Sequence, residues 1–300
     1  MTNFETPVVL IVFNRPDRTR ELIARLRLIR PSNLLVVADG ARASRPGELE
    51  KVEAVMGLFS EVDWPCEIQT NVSNTNLGCK ERIQTGLDWA FGLVDEAIVL
   101  EDDCLPDESF FWFCKELLEK YRLNPKVGMI SGNNFHFGLF KTKTDFYFTN
   151  FPHIWGWATW SRAWKLNEPN IETWPEVRGS DFLWKQLRNR KLAEEWSHNF
   201  DGIHEVDTWD VQWVYSIWKN SMLSIAPNVN LVSNNGFGED ATHTKTPDFN
   251  ANQVARAMRF PLRGPQQLRV NRIADFLEVK IRYFKLVEGF IRRGFRRGGS

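Results

Sequence analysis

Residues 97–103 read Ala97-Ile98-Val99-Leu100-Glu101-Asp102-Asp103. A continuous apolar run of this length fits a strand buried on both faces, the kind that builds parallel sheets. Three consecutive acids at its end repel one another unless a cation or cationic side chains neutralise them. All-oxygen ligands suit Mg²⁺ or Mn²⁺, which share one or two carboxylates with substrate phosphates. The stretch therefore predicts Asp103 on a metal, the metal on a diphosphate, and Glu101 or Asp102 reaching a nucleoside. The plainer alternative is a solvated acidic turn or a set of helix-start capping acids.

Upstream, Pro7 to Phe13 is a second apolar run, broken by Asn14-Arg15-Pro16-Asp17. Asp17 is placed to cap a helix reaching about Ile29, with Leu22, Ile23, Leu26 and Ile29 on one face. Leu34 to Ala38 is a further strand ending in Asp39-Gly40. Glu48 to Phe59 reads as a helix, Cys66 to Thr70 as a strand, and Leu77-Gly78 opens a helix to about Phe91. Strand and helix in alternation predict a parallel sheet wrapped by right-handed crossovers, with ligands beyond the carboxyl ends of the strands. Asn14-Arg15, Asp39-Gly40 and the acidic triplet each follow a strand end, so one groove can collect all three. There Arg15 can meet a phosphate bidentately, and Asp39 can accept from a base or ribose. The helix opened by Asn76 to Lys80 attracts anions at its N-terminus, and Lys80 adds charge. A surface arginine and a simple Asp-Gly turn are the competing readings of Arg15 and Asp39.

Downstream, Glu108 to Tyr121 reads as a helix, and Val127 to Ser131 and Asp145 to Asn150 as strands. Ile154-Trp155-Gly156-Trp157 is a glycine-punctuated aromatic stretch. Helices are expected near Ser161, from Asp181 to Glu195 and from Val206 to Lys219, with short strands at Leu223 to Ile225 and Val229 to Val232. Asn234 to Gly238 signals a loop. Most of the thirteen tryptophans fall between Trp155 and Trp218. Packing in a core or at a domain junction is their first explanation, and contact with the apolar faces of sugar rings the second.

The 43% hydrophobic and 25% charged content is that of a soluble globular chain able to bury a sizeable core. Net charge is zero, which gives no bulk argument for nucleic acid, but it is unevenly spread. Residues 255–300 hold twelve basic residues against three acids, a balance of plus nine that the preceding 254 residues offset. This basic tail, with an amphipathic helix expected from Arg269 to Phe290, reads either as a peripheral anchor on an anionic membrane surface or as a packing helix with a solvated end. Cys66, Cys79, Cys104 and Cys114 form no CxxC pair and read as buried free thiols of a reducing compartment. With no signal peptide and no apolar stretch of about 20 residues, a cytoplasmic protein is expected.

The Gly-Lys-Ser/Thr phosphate loop and the GxGxxG fingerprint are absent, which removes most support for nucleoside triphosphate hydrolysis and dinucleotide redox chemistry. A sugar nucleotidyltransferase wants a glycine-rich, arginine-containing loop after its first strand, a slot held here by Asn14-Arg15-Pro16-Asp17. The chain resembles the GT-A glycosyltransferases, most closely the N-acetylglucosaminyltransferase I type and its bacterial nucleotide-diphospho-sugar transferase relatives. The resemblance rests on Pro7 to Arg18, Val37 to Asp39, Asn76 to Ala90, Ile98 to Asp103, Pro106 to Phe113, Ile130 to Asn134, Phe151 to Trp164 and Trp209-Asp210, in patches between Pro7 and Thr244.

The resemblance implies a GT-A-type, Rossmann-like mixed α/β sheet flanked by helices over residues 1–254, followed by a basic helical extension over 255–300. Residues 1–134 would form the nucleotide-binding part and 135–254 the acceptor side. It implies a uridine diphosphate sugar as donor, Mn²⁺ or Mg²⁺ as cofactor, a glycan or lipid-linked acceptor, and a role in bacterial surface-polysaccharide synthesis with inversion at the anomeric carbon. Arg15 and Asp39 would contact the nucleotide, Glu101 and Asp102 the ribose or bridging groups, and Asp103 the metal. Asp210 matches the catalytic base, with Asp207 and Glu205 as neighbouring alternatives. His243 sits in a loop matching one that closes over the donor. A helix-start acid and a loop histidine without a role are the plain readings of Asp210 and His243.

Overall fold

A computed structural model describes residues 4–236 and 253–283. Strand β1 (Val8–Val12) is buried at all five positions. Successive side chains of a strand point to opposite faces, so Val8, Leu10 and Val12 enter one core while Val9 and Ile11 enter another. β2 (Asn33–Ala38) and β4 (Glu96–Glu101) flank β1 in parallel, and β3 (Glu67–Val72) lies parallel to β2. Helices α1 (Pro16–Ile29), α2 (Glu48–Gly57) and α4 (Glu108–Tyr121) cover the first face through Leu26, Val55 and Phe110. Helix α3 (Gly78–Leu93) covers the second through Ile83 and Leu87. The carboxyl ends of β1, β2 and β4 therefore open on one side, as the strand–helix alternation predicts.

The rest of the chain extends the same sheet. With β6 (Val127–Ser131), β7 (Phe146–Thr149), β8 (Trp157–Trp160) and β9 (Leu223–Pro227), the strand order is β3-β2-β1-β4-β8-β6-β9-β7. β8 runs antiparallel between β4 and β6, β9 is parallel to β6, and β7 is antiparallel to β9. The expected mixed α/β sheet flanked by helices is what the chain forms, and residues 1–134 and 135–254 share it. β5 (Cys104–Pro106) and β10 (Val232–Asn234) make a separate antiparallel ribbon, so the strand expected at Val229 to Val232 begins at Val232 and joins no main-sheet neighbour.

Several expectations require correction. The Trp157 segment is a central strand, with Trp157 in the second core and Trp160 in the first. The Trp157 ring stacks on Trp209 at 5.6 Å, and Trp160 Nε1 donates to the Leu118 carbonyl. Both rings are core, which agrees with the first explanation given for them; only the strand they sit on was not expected. Helix α1 starts on Pro16, whose fixed φ and missing N–H suit a first helical position, with Arg15 at the cap. Asp17 caps nothing and its side chain lies in solvent. The helix expected from Asp181 to Glu195 is two, α7 (Phe182–Leu187) and α8 (Arg190–Asp201). They are split where Arg188 turns left-handed at φ 50° and Asn189 accepts from the Leu192 N–H as the cap of α8. Short helices α5 (Ser161–Trp164) and α6 (Trp174–Val177) precede them. The helix expected from Val206 to Lys219 starts at Asp210, as α9 (Asp210–Lys219), with Trp213, Ile217 and Trp218 buried. All four cysteines are free, but only Cys104 and Cys114 are buried.

The basic segment from residue 255 begins as packed chain. The Arg256 N–H donates to the Asn230 carbonyl and the Met258 N–H to Ser109 Oγ, and Arg263 pairs with Asp145. Residues 272–283 are helical, with Ala274, Asp275 and Val279 buried. Among the described residues no helix is long and apolar enough to cross a membrane.

The contact between α3 and β2 sets how closely the second face of the sheet is covered. A Cβ on Gly86 would lie 2.2 Å from Val37 Cγ1, so the helix sits on the strand at a distance only glycine allows. Gly86→Val is expected to lower stability by about 1–3 kcal/mol through overpacking. Urea denaturation checks this, and an unchanged midpoint contradicts the close approach.

Candidate active site

A cavity of about 380 Å³ opens at the carboxyl ends of β1, β2 and β4, within the roughly 300–1,000 Å³ usual for ligand pockets. The β1–α1 connection is three residues, Phe13-Asn14-Arg15, which leaves Arg15 beside the acidic turn. Arg15 Nη1 donates to Asp102 Oδ1 and to Asp103 Oδ2, each at 3.0 Å. The neutralising cation that the triplet demands is thus the chain's own. Burial pushes the Asp102 carboxyl up to about 7, partly opposed by Arg15. Glu101, the last residue of β4, is held well above the ordinary carboxylate range by burial and then by Asp103, Asp102 and Asp210.

Asp103 also receives the Asn234 Nδ2–H on Oδ1 at 3.0 Å, and its carbonyl receives the Asn235 N–H. Asn234 Oδ1 in turn accepts from the Gly236 N–H at 2.7 Å. A side chain at Gly236 would strike Asp103 Oδ2, with its Cβ at 2.2 Å. The Asn-Asn-Gly signal read as a loop is pinned to the acidic turn. Asn234 is a site residue that the sequence reading missed, because turn punctuation does not say what the turn is fastened to. His243 falls outside the described residues.

Among the described residues no group of three His, Cys, Asp or Glu side chains is arranged to hold a metal. Asp102 and Asp103 nonetheless converge within 3.0 Å of one point, the Arg15 nitrogen, and both offer only hard oxygens. This pair fits an Mg²⁺ or Mn²⁺ that takes one or two protein carboxylates and completes its shell from phosphate and water.

Asp39, at the end of β2, lines the cleft. Its Oδ1 accepts from the Gly40 and Leu77 N–H groups at 2.9 Å, and its Oδ2 from Asn76 Nδ2 and the Gly78 N–H. These donors fill the roughly four acceptor positions of a carboxylate. Asp39 fastens the loop before α3 to β2, and its capacity is committed there rather than to a base. The N-terminus of α3 is also filled, since Asp207 accepts from the Cys79 N–H at 2.9 Å and the Lys80 N–H at 2.8 Å. The anion expected at this helix start is supplied by the chain itself. Lys80 turns away, with Nζ on Asn170 Oδ1, and does not line the cleft.

Of the three acids considered for the base, Asp207 is held by this cap and Glu205 does not line the cleft. Asp210, the first residue of α9, faces it and accepts from Thr208 Oγ1. Its charge reaches Glu101, so the base candidate and the acidic triplet share one space. Trp155 lines the same cavity, unlike Trp157 and Trp160. Phe13 and Arg42 complete the rim, with the guanidinium 5.4 Å from the ring centroid. Glu48 fixes that arrangement. It accepts from Arg42 Nε and from the Arg42 N–H, and from Asn14 Nδ2. Neither Arg42 nor Glu48 was marked by the sequence, where Glu48 read only as a helix start.

No protein-family profile matches the sequence, and no curated protein matches it. Among solved structures, a UDP-glucose pyrophosphorylase complexed with UDP-glucose aligns over 76% of this chain and 92% of its own, at 7% identity and a TM-score of 0.38. The inositol-1-phosphate CTP transferase from T. maritima aligns over 94% and 98%, at 9% identity and a TM-score of 0.39. Mouse xyloside xylosyltransferase 1 aligns over 71% and 81%, at 12% identity and a TM-score of 0.33. Likeness at this level leaves the activity of the chain to its own residues.

Arg42 holds the Glu48 carboxyl down to about 2. A folded value below the ordinary 4.5 contributes stability that is full above pH 4.5 and is lost as pH falls toward 2. Glu48→Gln should cost about 1–2 kcal/mol at pH 7, allowing for the half-exposed arginine. The difference from the parent protein should shrink below pH 4.5, as read by denaturant unfolding across pH. A deficit independent of pH would assign it to packing instead.

Proposed function

We propose that this chain is a metal-dependent, inverting glycosyltransferase of the GT-A type. It moves a sugar from a nucleotide-diphosphate donor, with uridine as the base, to a hydroxyl of a glycan or lipid-linked acceptor in bacterial surface-polysaccharide assembly. One observation carries the reading. Asp210 and the triplet Glu101-Asp102-Asp103 face each other across a single cavity at the carboxyl ends of a sheet.

The chemistry divides between the two walls. Asp102 and Asp103 are the carboxylates that would hold Mg²⁺ or Mn²⁺, whose charge, when bound, offsets that of the leaving diphosphate. Arg15, released in part from the acids, is placed to bind the phosphates as they arrive. Asp210 takes the proton of the acceptor hydroxyl as that oxygen attacks the anomeric carbon opposite the leaving group. Such an attack inverts the anomeric configuration. Trp155 offers an apolar face for the acceptor ring. The rim formed by Phe13 and Arg42, held by Glu48, would receive the nucleoside in place of the saturated Asp39.

The competing reading, a sugar-1-phosphate nucleotidyltransferase, needs a loop after β1 long enough to wrap a triphosphate. The three-residue Phe13-Asn14-Arg15 connection disfavours it.

Titration calorimetry with UDP, with and without Mn²⁺, tests the proposal. Binding should require the metal and be lost in Asp103→Asn. Asp210→Asn should retain UDP binding and lose roughly 10²–10⁴-fold in transfer rate once a donor and acceptor are found. Failure of the folded protein to bind any nucleoside diphosphate would sink the glycosyltransferase reading. Release of pyrophosphate from a nucleoside triphosphate and a sugar phosphate would replace it with the competing one.

A further inference from the structure

Residues 272–283 form a helix that lays Ala274 and Val279 on the core, yet leaves two large apolar side chains outside and takes two acids in. Ile273 and Phe276 are 65% and 58% exposed, while Asp275 and Ala274 are buried and Glu278 is nearly so. A surface helix ordinarily lays its apolar stripe on the core and turns its acids to water. Here both acids are drawn inward and given partners. Asp275 accepts from Thr149 Oγ1 at 2.6 Å and from the Asn150 N–H at 3.2 Å. Glu278 Oε1 lies 3.1 Å from His153 Nε2. Fixing the acids inside strips negative charge from the outer side. What remains there is Ile273, Phe276 and the exposed cations Arg272 and Lys280, with Lys280 Nζ 5.4 Å from the Phe276 ring.

A neighbouring loop extends the same surface. His136 Nε2 lies 2.9 Å from the Ala274 carbonyl, and Phe140 packs on Ala274 and Tyr147. Its chain neighbours Leu139, 72% exposed, and Lys141, also exposed, repeat the pairing of an apolar side chain with a cation. A groove of about 640 Å³ at the start of the helix is lined by Gln266, Arg269, Arg272 and Ile273, so its charged wall is basic. The sequence beyond residue 283 adds five basic residues and one acid.

We propose that this face docks on an anionic lipid bilayer. Apolar side chains at the centre of a basic surface need an apolar phase to enter and a negative layer around it, which is what the headgroup boundary of an anionic membrane supplies. A nucleic acid offers the charge without the apolar sink. Ile273 and Phe276 insert at the boundary of headgroups and acyl chains, and Arg269, Arg272 and Lys280 meet the lipid phosphates. The proposal is independent of the nucleotide-sugar reading.

The test is co-sedimentation of the full chain with vesicles of phosphatidylglycerol and phosphatidylcholine, against vesicles of phosphatidylcholine alone. Binding should occur with the anionic vesicles and weaken with added salt. The double variant Ile273→Ser/Phe276→Ser keeps every basic residue and should bind roughly tenfold or more weakly. Its melting temperature should be unchanged, because both side chains are exposed. Three results would overturn the proposal. They are no binding to anionic vesicles, equal binding by the double variant, or a dimer in light scattering that the double variant converts to monomer. The second would assign binding to charge on the tail, and the third would assign the face to a second copy of the chain.

Discussion

One guanidinium between two carboxylates holds this site together. Arg15 leaves the end of β1, Asp102 and Asp103 leave the end of β4, and a single nitrogen bonds both at 3.0 Å. Three adjacent acids at a buried strand end are costly to desolvate, and removing one partner of such an arrangement typically costs about 3–5 kcal/mol. The bridge therefore fixes the geometry of two neighbouring strand ends as well as their charge. Asp102 and Asp103 would hold a divalent cation at the point that Arg15 occupies, and such an ion would supply the neutralising charge in its place.

The walls around this floor are fastened by the same means. Asp39 ties the loop before α3 to β2, Asp207 ties α3 to the segment before α9, and Glu48 ties Arg42 to the β1–α1 turn. Asn234 ties the start of the 234–236 loop to Asp103. Each is a polar side chain whose acceptors or donors are filled by backbone or side-chain groups from another element. Loops cross-linked in this way lose little entropy when a ligand arrives, which is the advantage of a preorganised site. Acids near a cleft are thus of two kinds here, those consumed in holding loops and those left facing the space. Asp210 belongs to the second kind.

The first half of the fold was legible because its signals are local. An apolar run long enough to be buried on both faces identified β1, β2 and β4, and helix α4 and strand β6 fall where the sequence places them. The convergence of Arg15, Asp39 and the acidic triplet followed from topology alone. What was missed depends on distance in the chain. β8 is four residues long and buried on both sides, and it follows Gly156 at φ 72°. Its aromatic, glycine-punctuated sequence has neither the length nor the alternation that marks a strand. Asp207 caps a helix whose first turn lies 127 residues earlier, and no local pattern announces that partnership. Lys80 was misplaced for the same reason, since the anion it was meant to accompany is this aspartate.

Local rules fail at two places in the molecule, and the failures are of the same kind. Natural sequences are locally consistent with their folds, so conflicts concentrate where something besides folding is being specified. At the end of β4 the conflict is like charge gathered in a buried turn, relieved by Arg15. On the 272–283 helix it is apolar surface turned outward while Asp275, its carboxyl pushed up to about 7 by burial, is turned in. A raised carboxyl of this kind takes stability away as pH rises from its ordinary range through 7. The two conflicts are also connected. Glu278 on the inner side meets His153, and the next two residues of that loop, Ile154 and Trp155, line the cleft. The helix and the wall of the site are thus joined through one short stretch of loop, residues 153–155.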